Sequence, residues 1–245
     1  MNKQEKIDRI DQWKVTENKD NLLGEILQLV EDEDLTIKLS AIEMLSSFNT
    51  FSNVKNILIQ LTTHAEIEVR MYAIESLSYF SGEDVGDAIV ARLHDSDSLV
   101  RITAAEVLGY IGYKKAVPYL CNALSDKNEL VRAYAAEALG KLGDTSLISI
   151  LKNQLQVENR NVARLGFYIG LFLLGEKHLD SILEMLKCKS YRVRSAVANS
   201  LVTLVNEENF HKIKDSLEKA YRKEKVIAVS SSLQAALSEL NMWEQ

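Results

Sequence analysis

The chain has few of the residues that break or turn a backbone. Among its 245 residues there is one proline, Pro118, and there are ten glycines. A β-sandwich or barrel needs a breaker every few residues, so this scarcity argues against those folds and suits long helices on short connections. Only two cysteines are present, Cys121 and Cys188, with no CxxC spacing. Two free thiols in a reducing compartment are expected, and no disulfide framework. No stretch reaches the ~18 uninterrupted apolar residues of a membrane span; Leu165 to Leu174 comes nearest and is too short. Met1 to Lys19 is polar and charged and lacks the apolar segment of a signal peptide. A cytoplasmic protein is therefore expected. Nor is there an excess of positive charge. The net charge is −6 and the pI about 5.4, which speaks against nucleic acid as a partner.

What the chain does have is a repeat. Val69-Arg70 through Leu77, Val100-Arg101 through Leu108, Val131-Arg132 through Leu139 and Val193-Arg194 through Leu201 share one frame, and Ile37-Lys38 through Leu45 and Ala163-Arg164 through Leu171 fit it more weakly. The basic residue recurs at 38, 70, 101, 132, 164 and 194. Counting from it, apolar residues fall at −1, +3, +4, +7 and +10. At 100° per residue these share one helical face. Gly112, Gly143 and Gly175 follow this helix where a positive φ is wanted. A shorter apolar-periodic stretch precedes it, such as Val117, Leu120 and Leu124, with Pro118 in its first turn, where the missing N–H is harmless.

Each repeat is thus two helices, and one repeat cannot bury its apolar face alone; stacking does so. The expectation is an all-α, right-handed α-α superhelix of about seven two-helix repeats. It forms a single domain over 1–245, with an N-terminal cap at 1–20 and a degenerate, arginine-free capping repeat at about 206–245. Trp13 and Trp243 are expected to cover the two ends.

The frame V-R-x-x-A-A-E-A-L-G-x-L-G, as in Val131 to Gly143, resembles HEAT repeats, in particular the subtype of phycobilisome lyases. The resemblance covers roughly residues 20–240. It implies an α-solenoid of the ARM type and a ladder in which the residue six before each base pairs with the base of an adjacent repeat. That position reads Asp32, His64, Asp95, Asp126, Glu158 and Cys188, and the bases include Arg70, Arg101, Arg132, Arg164 and Arg194. His64 and Cys188 depart from the pattern, so their repeats are expected to be held differently. The resemblance also implies a second reading, a bilin lyase-like protein acting on a chromophore-bearing protein, although no lyase residue can be picked out. The di-iron hydroxylases among HEAT-like proteins use His-Glu dipeptides. The four histidines here precede Ala65, Asp95, Leu179 and Lys212, so no such centre is expected.

Positions +2, +5 and +9 lie opposite the buried arc of the second helix, on the side that HEAT-type solenoids turn toward a partner. Glu43, Glu75, Glu106 and Glu137 form a column there, with Tyr72, Tyr79, Tyr110 and Tyr134 beside it. Glutamates steer and pair positive charge, and tyrosines give contact area at low entropy cost, so this face suits a basic segment of a protein or peptide. In the fifth repeat the same face turns apolar, with Ile169 and Leu173. It is expected to be an exposed contact patch, on which Ile169→Asp and Leu173→Asp would weaken binding without unfolding the chain. No nucleotide-binding, hydrolase or metal motif is present. A non-catalytic interaction module without cofactor or metal is the expected function.

Overall fold

In the computed structural model the described residues are 1–16 and 22–243, the Trp243 side chain excepted. Part of the expected N-terminal cap and the expected role of Trp243 therefore lie outside the described residues. Among these residues there are fifteen α-helices and no strand. They fall into two compact units, Met1–Ala123 and Leu124–Gln245.

The first unit holds α1 (Lys3–Lys14), α2 (Leu23–Val30), α3 (Leu35–Leu45), α4 (Ser52–Leu61), α5 (Ile67–Leu77), α6 (Glu83–Arg92), α7 (Ser98–Tyr110) and α8 (Val117–Ala123). α2 pairs with α3, α4 with α5 and α6 with α7, and the second helices α3, α5 and α7 pack side by side. The repeat frame explains the packing. Residues −1, +3, +4 and +7 are Ile37, Ala41, Ile42 and Leu45 in α3, Val69, Ala73, Ile74 and Leu77 in α5, and Val100, Ala104, Ala105 and Leu108 in α7, and all are buried. Alanine at +3 leaves room for close helix approach. Two of the turns between the helices are closed by a side-chain cap: Asp34 accepts from the Thr36 and Ile37 amides, and Asp97 from the Leu99 amide at 2.7 Å.

The polar N-terminus is itself a repeat-like second helix. α1 starts on a capping box formed by Asn2 and Glu5, packs on α3 and buries Ile10 and Trp13. Lys6 precedes Lys38 by one repeat length, so Ile10 and Trp13 occupy +4 and +7 of the frame.

The second unit holds α9 (Glu129–Lys141), α10 (Ile148–Val157), α11 (Asn161–Leu173), α12 (Leu179–Glu184), α13 (Tyr191–Thr203), α14 (Phe210–Tyr221) and α15 (Ile227–Trp243). Val193, Val197, Ala198 and Leu201 of α13 share a core with Val229, Leu233, Ala236 and Leu240 of α15. Ser230 stands in α15 where the other second helices carry their base. Gly112, Gly143 and Gly175 end their helices with φ of +67°, +72° and +89°. After Gly112 the Tyr113 amide reaches back to the Leu108 carbonyl at 3.2 Å, a left-handed helix stop that side chains with a Cβ rarely adopt.

Candidate functional site

The charged residues of the frame form rungs. Each base first closes its own turn: Arg70, Arg101, Arg132, Arg164 and Arg194 donate to the carbonyl six residues earlier, at 2.7 to 2.9 Å. Several then reach the carboxylate of the following repeat. In the first unit Arg70 Nη2 bonds Asp95 at 2.9 Å, and Lys6 bonds Asp32 at 2.5 Å. In the second, Arg132 clamps Glu158 at 2.6 and 3.0 Å, and Arg194 clamps Glu224 at 2.7 and 2.9 Å. The carboxylates also accept amides two residues on, as Asp95 does from Asp97 and Asp126 from Asn128.

The electrostatics follow. The Lys6 bond holds Asp32 below its ordinary value. At Asp95 burial pulls upward, but the Asp97 amide and Arg70 together pull it down; at Glu158 Arg132 and the Arg160 amide likewise outweigh burial. Arg194 and two backbone amides hold Glu224 down at about 2. Glu224 was missed in the sequence because α15 lacks the base that sets the frame. Counting six residues back from Ser230 would have found it.

The two departures are held by substitutes. His64 Nδ1 accepts the Glu66 amide at 3.1 Å, keeping the turn, and Lys38 goes to the Glu66 carboxylate at 3.3 Å instead. Cys188 offers no charge, and Arg164 turns to its own helix, donating to the Tyr168 hydroxyl at 2.7 Å.

On the outer side of the second helices, Glu75 stands between Glu43 and Glu106. Burial raises its pKa, and the charges of Glu106 and Glu43 push it further the same way. Tyr79 and Tyr110 are exposed, at 61% and 70%, and Tyr72 is half-buried. Lys14 approaches Glu43 at 3.6 Å. Among the described residues no cation stands within ion-pair distance of Glu75 or Glu106. Tyr134 and Glu137 lie on α9 in the second unit, both half-buried.

The fifth-repeat patch is corrected. Ile169 is 3% exposed and belongs to the core of the second unit with Leu165, Val197, Leu201 and Leu233; only Leu173 remains open, at 37%. The cause is the set of helices that follow: Ile169 shares its core with Ile182 of α12, Val193 of α13 and Val229 of α15. On another side of α11 glycine permits a close approach to α9: a Cβ on Gly166 would lie 2.5 Å from Ala133 Cα, and one on Gly140 would lie 2.6 Å from Gly170 Cα. The angular reading placed +5 outward in every repeat alike and did not weigh what the following helices cover.

The helix-pair frame has a counterpart among known families. The family model described as HEAT repeats matches residues 23–106 and again 86–171, more than half of the chain. The chain belongs to the HEAT-repeat family.

Other known structures are similar to this HEAT-repeat chain. The complex of CpcE and CpcF of phycocyanin lyase from Nostoc sp. matches at 14% identity over 92% of this chain and 97% of that one, with a TM-score of 0.63. A homology model of the full-length AP-3 complex matches at 15% identity over 98% of this chain and 48% of that one, with a TM-score of 0.64. Human deoxyhypusine hydroxylase matches at 21% identity over 81% of this chain and 99% of that one, with a TM-score of 0.44. No curated protein matches. Among the described residues no three His, Cys, Asp or Glu side chains are grouped to hold a metal ion, and no helix is long and apolar enough to cross a membrane.

Proposed function

We propose that this HEAT-repeat protein is a non-catalytic interaction scaffold, acting in the cytoplasm, whose first unit receives a basic segment of a protein partner. One observation carries the reading: Glu75 and Glu106 stand exposed on the adjacent helices α5 and α7, and among the described residues no cation lies within ion-pair distance of either. Like charges aligned at a cost to the folded chain are relieved by a cation arriving from outside. Tyr79 and Tyr110 beside the column offer ring faces and hydroxyls to the same segment. The wild-type chain and a Glu75→Gln/Glu106→Gln variant are used to capture partners from native lysate at low and at high salt, with mass spectrometry of what is retained. A stoichiometric protein lost in high salt and lost with the variant supports the proposal; retention of the same protein by the variant refutes it.

The likeness to the CpcE–CpcF complex concerns the fold, and it leaves the bilin lyase-like reading without a residue to rest on. Recovery of a pigment-bearing protein in the same experiment would bring that reading forward.

A further inference from the structure

Charge is unevenly divided along the chain. Residues 1–123 carry 12 Lys and Arg against 20 Asp and Glu, whereas residues 124–245 carry 17 against 15. Within the second unit the cations gather at one place. A cleft of about 780 Å³ opens where the turn after α12 meets the end of α14. Lys187, Lys189, Lys219, Lys223 and Lys225 ring it, and all five are exposed.

The nearby carboxylates do not cancel this charge. Glu184 pairs with Lys187 at 2.7 Å, and Glu224 is consumed by Arg194. Among the described residues Lys189, Lys219, Lys223 and Lys225 have no carboxylate within ion-pair distance. Four uncompensated ammonium groups around one concavity repel each other and attract an anion. Leu183, Leu186, Ala220 and Val226 give the same cleft an apolar side. A small inorganic anion would leave that apolar side uncovered and most of the volume empty. Single-stranded nucleic acid takes aromatic platforms on which bases stack, and no aromatic residue lines this cleft.

We infer that this cleft is a second docking site, for an acidic protein segment that carries an apolar anchor side chain between its carboxylates. The carboxylates meet the lysine rim, and the anchor covers Leu183, Leu186 and Val226. The site is independent of the acidic face of the first unit and opposite to it in charge preference.

The test uses the full chain with Cys121→Ser, so that Cys188, which lines the cleft, is the one thiol. A fluorescent synthetic peptide of Glu and Leu is titrated by anisotropy, alongside a Lys/Leu peptide and single-stranded DNA of similar length. Maleimide labelling of Cys188 is timed with and without the peptide. The expected results are binding of the Glu/Leu peptide above both comparison probes, slowed labelling of Cys188, and loss of affinity by about tenfold or more in Lys219→Glu/Lys223→Glu. Lys219→Gln/Lys223→Gln should give a smaller loss in the same direction, and it serves as the readout if the charge reversal disturbs folding. Unchanged affinity in both variants, unprotected Cys188, or tighter binding of the DNA would overturn the inference.

Discussion

Arg194 and Glu224 face each other as a fork on a fork, with Nε and Nη2 donating to the two carboxylate oxygens at 2.7 and 2.9 Å. Arg70 and Asp95 occupy the same relation but share one bond, and Arg70 Nε is left buried without a partner. The difference is one methylene. Glutamate reaches both nitrogens of the guanidinium, and aspartate reaches one.

Glu224→Gln removes the charge and one arm of this clamp while keeping its shape. The expected cost is about 1.5–3 kcal/mol, read by urea denaturation, with hydrogen exchange in α15 accelerating before that in α11. Because the folded-state pKa of Glu224 is depressed to about 2 from 4.5, its contribution is complete above about pH 4.5 and is lost as pH falls toward 2. The variant should have a shallower acid limb in that window. An unaltered acid limb would show that other carboxylates dominate it.

Glycine-to-alanine substitutions should change sign with position. Gly24 in α2 has nothing within 4 Å of an added Cβ, so Gly24→Ala should stabilise by about 0.5–1 kcal/mol through backbone entropy. Gly166→Ala and Gly170→Ala would drive a carbon into the backbone of Ala133 and Ala136, and each should cost about 1–3 kcal/mol. Melting temperatures of the three variants decide it.

Ile169 and Leu173 should separate. Ile169→Asp places a charge in the core of the second unit and should cost about 3 kcal/mol or more. Leu173→Asp, on a side chain still 37% exposed, should cost under about 1 kcal/mol. Equal thermal denaturation of the two would contradict the burial of Ile169.

For Glu75 the sign is reversed. Its folded-state pKa is raised, so the folded chain holds the proton more tightly than the unfolded one. Ionisation as pH rises therefore works against folding. Glu75→Gln should be neutral or stabilising at pH 7, within about 0.5 kcal/mol, while weakening capture of a basic partner. A destabilised variant would assign Glu75 to structure.

The repeat was legible because its signal is redundant: apolar positions, base and terminal glycine recur in one frame, and each buries or bonds what that frame requires. One copy was not legible as a repeat: Lys6 begins a frame whose flanking positions are polar. The degenerate repeat at about 206–245 was legible, but its register was not, because Ser230 stands there with no base to mark it. The acidic column was legible from helical angle alone, since Glu75, Tyr79, Glu106 and Tyr110 stand on ordinary helices. Ile169 was misplaced because its burial depends on α12, α13 and α15, with which it shares a core, and the angle within one helix carries no information about them. The lysine cleft was hidden because its members come from the turn after α12, the end of α14 and the turn beyond it, which the frame does not align.

Ser230 has a consequence for assembly. Every rung needs a base from one repeat and a carboxylate from the next, so a second helix with its base in place is a plug awaiting a socket. α15 carries a short hydroxyl there, and that hydroxyl cannot span to a neighbour's carboxylate. α15 therefore presents no base for a rung on this side. Whatever packs against that side of α15 is held by apolar contact and backbone bonds, without a rung.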